Sequence, residues 1–352
     1  MKINERLVKF EAVLLLRKAT GWRAERITKT LNELGFSISL NTVRHYLYHN
    51  ELPELSPLIK SLFYHKAYEL ALKLKERNPK WNHKRISIEI KRKLGIRISP
   101  KTIYYWITRR GKPSIVPLKI HLELGYVIGA LLSDCTRTTY VKLAVKDRDY
   151  AESFAHALDT VTGRKYRVKE RDGYYIVRTR GSPLRYIVKS GLWKVVAYVY
   201  LKEFLQGLFD GDGSVTMRVS PRPEFIVRIT LCDSNLELLE FTKRLLRKLG
   251  IESKILLNRK RGTKTTICGR ECTINEDCWV LTINRQKDII KFYKHVGFRI
   301  QRKQEKLRDV VEILRKYKSN RGRVRAWKKL YVKDKGGWIK RTPQTTPTFN
   351  FS

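Results

Sequence analysis

The chain has 352 residues, 42% of them hydrophobic and 11% aromatic, enough for two or three domains with cores of their own, so disorder as the main state is excluded. It carries 75 Lys and Arg against 33 Asp and Glu, a formal net charge of +42. Such a surplus repels itself unless polyanions share the surface, and nucleic acid is the expected partner.

No apolar run approaches the ~20 residues of a membrane helix. The stretch Ala12 to Leu16 follows Glu5 and Glu11 and has no small-residue cleavage site. An intracellular location, cytoplasmic or associated with the nucleoid, is therefore expected, with no membrane partner. Five cysteines without a signal peptide do not form a secreted disulfide framework. Cys268, Cys272 and Cys278 cluster, but without the paired short spacings of a structural zinc site, and they are expected to be plain thiols.

An internal repeat opens the chain. Arg26-Ile27, Leu31, Leu34-Gly35 and the run Ser39 to Tyr46 return as Arg85-Ile86, Ile90, Leu94-Gly95 and the run Ser99 to Trp106, offset by 59 to 60 positions. In each copy apolar residues recur at three- and four-residue steps, a glycine stops one helix and a Ser with a following Thr starts the next. This predicts two helix-turn-helix units, at 1–50 and 58–112, separated by Pro-containing linkers. Their second helices, about Asn41 to His49 and Lys101 to Arg109, carry Arg44, His45 and Tyr48 in the first and Lys101, Tyr104, Tyr105, Arg109 and the adjoining Arg110 in the second. A helix with basic and aromatic tips suits a major groove and its flanking phosphates.

From about Leu122 the pattern becomes helix, two strands, helix, two strands, helix, and then repeats. In the first pass Leu122–Leu132 reads as a helix, Tyr140–Lys146 as a strand and Tyr150–Val161 as a helix. Lys165–Arg171 and Tyr174–Arg180 read as a hairpin turned by Asp172-Gly173, followed by a short helix over Leu184–Ser190. In the second pass Lys202–Phe209 is helical, Val215–Val219 and Phe225–Leu231 are strands, and Asn235–Leu249 is a helix capped by Asp233/Ser234 and ended by Gly250. Strands near Lys254–Leu257 and Trp279–Asn284 flank a basic excursion before the helix Lys287–Val296. The expected fold class is α+β: a tandem αββαββα duplication with halves at 120–200 and 201–318, antiparallel sheets, all-α repeats in front and a basic tail at 319–352. In that tail Trp327, Tyr331 and Trp338 stand among Arg and Lys, a composition that binds phosphate backbone.

The strands are basic on one face. Lys165, Arg167, Lys169 and Arg171 alternate with Tyr166 and Val168, and Lys142 and Lys146 alternate with Val141, Leu143 and Val145. Arg178, Arg180 and Arg228 extend the expected DNA-contacting set along the neighbouring strands.

Two segments share a frame at a separation of 78: Gly125 to Asp134, and Phe204 to Gly213, with Gly129 matching Gly207 and Asp134 matching Asp212. Small residues four apart, Gly129 with Ser133 and Gly207 with Gly211, let two such helices approach backbone to backbone. An acid at a helix C-terminus faces the negative end of the dipole, and a second acid adds repulsion. A divalent cation relieves both effects, since Mg²⁺ is commonly held by one or two carboxylates together with water and phosphate oxygens. It also supplies hydroxide near neutral pH and stabilises a leaving 3′ oxygen. The chemistry indicated is phosphodiester hydrolysis.

Leu205 to Gly213 resembles the signature of the LAGLIDADG homing endonuclease family, two-motif monomeric type, and Val127 to Cys135 resembles its first copy, departing from it at Ser133 and Cys135. The resemblance covers roughly residues 120 to 318. It implies a monomer with internal pseudo-twofold symmetry, saddle-shaped sheets lying along the major groove of double-stranded DNA, and intron homing by double-strand cleavage with Mg²⁺ or Mn²⁺. It further implies Asp134 and Asp212 as catalytic metal ligands, helped by the carbonyls of Ser133 and Gly211. Family enzymes use a further basic or amide residue in each half, and Lys189 and Lys287 are the candidates here. Two other functions fit parts of the pattern: a non-catalytic DNA-binding regulator, and a maturase acting on intron RNA. Starting Met1-Lys2 and ending Asn350-Phe351-Ser352, the chain lacks the terminal residues of a splicing element and is expected to be freestanding.

Overall fold

The structure is a computed structural model and describes residues 4–49, 55–109, 111–138, 140–219, 224–267, 270–334 and 337–341. The backbone partitions into two compact units, Met1–Gly211 and Asp212–Ser352. Among the described residues no helix is long and apolar enough to cross a membrane.

The first unit begins with two three-helix modules, α1 (Glu5–Thr20), α2 (Ala24–Glu33) and α3 (Leu40–His49), then α4 (Pro57–Arg77), α5 (His83–Leu94) and α6 (Pro100–Thr108). Side-chain caps mark the starts: Ser56 accepts from Ile59 N at 3.0 Å, Asn82 from Arg85 N at 2.9 Å and Ser99 from Thr102 N at 3.1 Å. The turn of each helix-turn-helix is pinned by a side chain of its first helix. Asn32 brackets Ile38, accepting from its N–H at 3.0 Å and donating to its carbonyl at 2.9 Å, while Ser87 Oγ donates to Ile98 O.

The same unit continues with α7 (Glu123–Leu132), β1 (Thr136–Arg137), β2 (Tyr140–Val145), α8 (Arg148–Thr162), β3 (Lys169–Arg171), β4 (Tyr174–Arg180), α9 (Ser182–Lys189), α10 (Trp193–Val199) and α11 (Leu201–Asp212). The sheet is antiparallel with strand order β1-β2-β4-β3. Val141, Leu143 and Val177 turn inward against α8, whose Tyr150, Phe154 and Leu158 are buried. Asp172 and Gly173 both have positive φ, 52° and 72°, as the predicted two-residue hairpin turn requires.

The expected strand over Lys165–Arg171 is cut to its last three residues. Tyr166 N donates to Asp159 Oδ1 at 2.7 Å instead of to a neighbouring strand, so α8 holds that segment and only Lys169–Arg171 joins the ladder.

The helical modules are fastened to this sheet domain, α1 against α10 and α4 against α9. At the junction lies Glu11, 0% exposed, accepting from Tyr186 Oη at 2.6 Å and from Ser56 Oγ. One carboxylate therefore joins the first module, the cap of the second and α9. Burial pushes Glu11 up to about 7, against the opposing pull of its two hydrogen bonds.

The second unit holds β5 (Gly213–Val219), β6 (Phe225–Asp233), α12 (Leu236–Lys248), β7 (Lys254–Arg259), β8 (Lys264–Ile267), β9 (Arg270–Thr273), β10 (Cys278–Ile283), α13 (Gln286–His295), α14 (Gln301–Lys316), α15 (Asn320–Leu330), β11 (Tyr331–Asp334) and β12 (Gly337–Lys340). Its main sheet has the order β5-β6-β10-β7, the same first-second-fourth-third arrangement as the sheet of the first unit, so the duplication extends to topology. The basic excursion is a separate two-stranded ribbon, β8 with β9, where the first copy makes a two-residue turn. The cap of α12 is Asn235, which accepts from Leu238 N at 3.1 Å; Asp233, one of the two expected caps, instead accepts from Asn235 N at 2.8 Å.

The basic tail is folded as far as it is described. Trp327 is 0% exposed and lies 3.9 Å from Tyr331 in a parallel stack, and Tyr331 Oη donates to Asp309 Oδ2 at 2.9 Å. Trp327 and Tyr331 are core residues that close α14, α15 and the β11–β12 hairpin, because aromatic area this large is more stable removed from water than displayed among cations.

Candidate metal centre and nucleic-acid interface

The site rests on the packing of α7 with the part of α11 that belongs to the first unit. Leu124 to Leu131 of α7 are all buried, and a helix apolar on every side must be enclosed. Two glycines set how closely the helices approach. A Cβ at Gly129 would strike Phe204 O and lie 2.7 Å from Leu208 N; one at Gly207 would strike Tyr126 O and lie 2.9 Å from Ala130 N. These are backbone atoms, so no side-chain movement relieves the overlap. A buried hydrogen bond, Tyr126 Oη to Asp210 Oδ2 at 2.8 Å, fixes the register of the pair.

That register brings the C-terminal ends of both motifs together within the first unit. A Cβ at Gly211 would lie 2.5 Å from Ser133 Cβ and 3.1 Å from Asp134 Oδ2, so glycine there leaves the space occupied by the Asp134 carboxylate. Ser133 ends α7 with φ −94° and ψ −91°, and its N–H donates to Gly129 O at 3.3 Å. Asp134 is exposed just beyond, and Cys135 after it is buried. A carboxylate beside main-chain carbonyls is a hard oxygen donor set that suits Mg²⁺ or Mn²⁺. The Asp134 carboxylate that Gly211 makes room for is a donor of that hard type.

Asp212 is the last residue of α11 and partly buried. In the second unit the ladder starts one residue later, at Gly213 opposite Leu231, which directs the chain at Asp212 toward Cys232. Partial burial, then the charges of Cys278 and Asp212, push the Cys232 thiol above its ordinary value. Cys272 and Cys278 are half-buried and in no disulfide among the described residues, and Cys268 lies outside the described residues. No group of three or more His, Cys, Asp or Glu side chains among the described residues is arranged to hold a metal ion.

The outward face of the first sheet is cationic. Lys142 stands directly opposite Arg178, and Arg180 opposite Tyr140, with Lys146, Lys169 and Arg171 exposed nearby. Arg178 lies flat over Tyr140, its guanidinium carbon 3.6 Å from the ring centre, and Lys146 Nζ is 5.8 Å from the centre of Tyr174. Like charges directly across a ladder destabilise a sheet unless a ligand neutralises them. Lys165 and Arg167 are exposed in the segment before β3, and Lys165 Nζ reaches Asp159 at 3.2 Å. The second sheet is less basic: Arg228 stands opposite Thr216, beside Ser214 and Thr230, which share a hydrogen bond of 2.8 Å.

In the helical modules Arg44, His45, Lys101, Tyr105 and Arg109 are all exposed on α3, α6 or the residue following α6. Arg44 pairs with Glu25 at 2.7 Å, and its hydrogen bond holds the Glu25 carboxyl below the usual range. An exposed pair of this kind is weak and yields readily to a phosphate. Tyr105 lies over Gly111, where a Cβ would collide with its ring. Lys189 is exposed at the end of α9, lining a cleft with Glu5, Lys9 and Phe36, while Lys287 is exposed in the first turn of α13.

Three features were not legible as site elements from the sequence. The Tyr126–Asp210 bond and the buried Tyr150 depend on packing between segments far apart in the chain, and so does Glu11. Asp210 alone left a signal, as the additional acid inside Phe209-Asp-Gly-Asp212.

The duplicated αββαββα architecture and the motif helices joined through Gly129 and Gly207 define a LAGLIDADG-type fold. Residues 200–297 match the LAGLIDADG-like domain family. An uncharacterized protein of Methanocaldococcus jannaschii is 29% identical over 286 residues, spanning 76% of this chain and 97% of the relative. Among solved structures, the homing endonuclease I-DmoI in complex with DNA and Ca is 18% identical with a TM-score of 0.38, covering 53% of this chain and 97% of that one. The N-terminal LAGLIDADG domain of DUF199/WhiA is 19% identical with a TM-score of 0.34, covering 54% and 89%.

Proposed function

We propose that the protein is a site-specific double-strand DNA endonuclease that hydrolyses phosphodiesters with Mg²⁺ or Mn²⁺, one aspartate from each copy of the motif serving the metal: Asp134 and Asp212. The observation that carries this reading is the cradle at the end of α7, where Gly211 leaves room for the Asp134 carboxylate beside the Ser133 side chain. A divalent ion bound there supplies a nucleophile near neutral pH and stabilises the leaving 3′ oxygen. The chain's own residues position the duplex: Lys142, Lys169, Arg178 and Arg180 neutralise phosphates along the first sheet, and α3 and α6 offer Arg44, His45, Lys101, Tyr105 and Arg109 to further DNA. Lys189 and Lys287 are the proposed auxiliary cations. The protein acts as a monomer, because one chain carries both motif copies.

A second reading is a DNA-binding regulator that does not cut. What favours it is the pair of helix-turn-helix modules built into the first unit, a reading device that cleavage itself does not require. Supercoiled plasmid carrying the host locus, with the reading frame and any surrounding intron removed, separates the two. Nicked and linear products in Mg²⁺ that disappear in Asp134→Asn and Asp212→Asn support the nuclease. A footprint with no scission and no response to Mg²⁺ supports the regulator, and preference for intron RNA over duplex DNA in competition points to a maturase.

A further inference from the structure

The residues between α6 and α7 form no loose tether. Val116 and Leu118 are buried there. On one side the segment is tied to α4: Leu118 N donates to Ser61 O at 3.1 Å, Ser61 Oγ donates to Val116 O, and His65 Nε2 donates to Ile115 O at 2.9 Å. On the other side Lys119 N donates to Val161 O at 2.6 Å, near the end of α8, the helix that packs under the first sheet. The second helical module is therefore attached to the sheet domain through α8, through α9 and through its own cap at Glu11.

This attachment sets α6 beside one end of the cationic sheet. A cleft of about 420 Å³ is lined by Lys60, Tyr64, Tyr105, Trp106, Lys112 and Ser182, among other residues. Ser182 opens α9 just after Arg180, the last residue of β4, so the cleft lies between α6 and the end of the ladder where Arg180 and Tyr140 stand opposite each other. Tyr64 and Trp106 meet edge-on at 5.6 Å in its apolar wall, while Lys60, Lys112 and the exposed Tyr105 supply two cations and a phenol. None of the described residues that line it is acidic. A cationic cleft without acids, joining two surfaces that are themselves basic, suits the phosphates of a backbone that passes from one surface to the other.

We propose that α6 and the first sheet grip one unbroken duplex, that Lys60 and Lys112 seat the backbone phosphates between them, and that the protein fixes the spacing of the two contacted stretches. This rests on the reading of the first sheet as a DNA-binding face and deepens it, since the target becomes bipartite with a set separation. Two contacts carried by one body reinforce each other by about 10²–10⁴ in affinity, and the gain is lost where geometry forbids both at once. Half a helical turn of extra base pairs shifts one stretch by about 17 Å and turns it to the opposite side of the duplex.

The test is hydroxyl-radical footprinting and salt-dependent anisotropy of the full chain on intronless host-locus duplex in EDTA. Arg178→Ala marks the stretch held by the sheet, and Lys101→Ala the stretch held by α6. Wild type is then measured on duplexes lengthened between these stretches by half a helical turn or by one turn. The expected result is one continuous footprint on the native duplex. On both lengthened duplexes one stretch loses protection and affinity falls about 100-fold or more. In the double variant Lys60→Ala/Lys112→Ala, protection between the stretches fades and the slope of log affinity against log salt shrinks by about two. Undiminished protection of both stretches on the lengthened duplexes overturns the fixed spacing, because the module then moves independently of the sheet. An unchanged salt slope and footprint in the double variant overturns the phosphate seat. If Arg178→Ala leaves footprint and affinity as in wild type, the reading of the first sheet as a DNA-binding face falls too, a result distinct from either of the others.

Discussion

Replacing Glu11 with Gln isolates the effect of one buried charge on how the helical modules are held to the sheet domain. The folded-state value of about 7 lies above the ordinary 4.5. A raised carboxyl favours the protonated native state, so its stabilising effect is fully present below pH 4.5 and is lost as pH rises through 7. The difference of roughly 2.5 units corresponds to about 3 kcal/mol. Glu11→Gln keeps the shape and stays neutral, so the variant and the wild type are similar near pH 5. By pH 8 the variant holds α1 and α4 more firmly, by up to about 3 kcal/mol less whatever the two charge-assisted hydrogen bonds lose. Hydrogen exchange of the α1 and α4 amides, corrected for intrinsic rates, reads this locally: protection in the variant rises relative to wild type by about two orders of magnitude between pH 5 and pH 8. A ratio independent of pH refutes the reasoning, because it means that Glu11 does not change charge over this range.

Two further perturbations probe the motif helices and the sheet. Gly207→Ala places a methyl against the carbonyl of Tyr126 and the N–H of Ala130, so the helices must separate; the first unit loses about 3 kcal/mol or more by overpacking, measured by urea unfolding, and cleavage is lost with it. Arg178→Ala removes a cation standing opposite Lys142, so stability without DNA holds or rises while DNA affinity falls and the slope of log affinity against log salt shrinks by about one, measured by anisotropy over a salt series.

The order of elements was legible because period and punctuation agreed along the chain: the Asp172-Gly173 turn, the glycines following α2 and α5, and the repeat of Gly129 and Asp134 as Gly207 and Asp212. What escaped depended on distant partners. Tyr166 is taken from the sheet by Asp159, so the alternating basic run pairs over only three residues. Trp327 reads as an aromatic among cations, yet Phe225 packs edge-on against it at 6.2 Å, 102 positions earlier in the chain, which makes it core. Glu11 gives no signal in its own neighbourhood, because its donors Ser56 and Tyr186 lie 45 and 175 residues further on. The candidate acids were visible as a frame, whereas the room for Asp134 is created by Gly211, which only the packing of the two motif helices brings opposite Ser133.

The most direct measurement is strand scission of intronless host-locus plasmid by wild type and by Asp134→Asn at matched DNA occupancy, in Mg²⁺ and in EDTA. Cleavage by wild type in Mg²⁺ alone, with unchanged binding and no cleavage by the variant, is the predicted result. Equal cutting by both proteins, or saturating binding by wild type with no metal-dependent cutting, contradicts the assignment of Asp134 as a catalytic metal ligand.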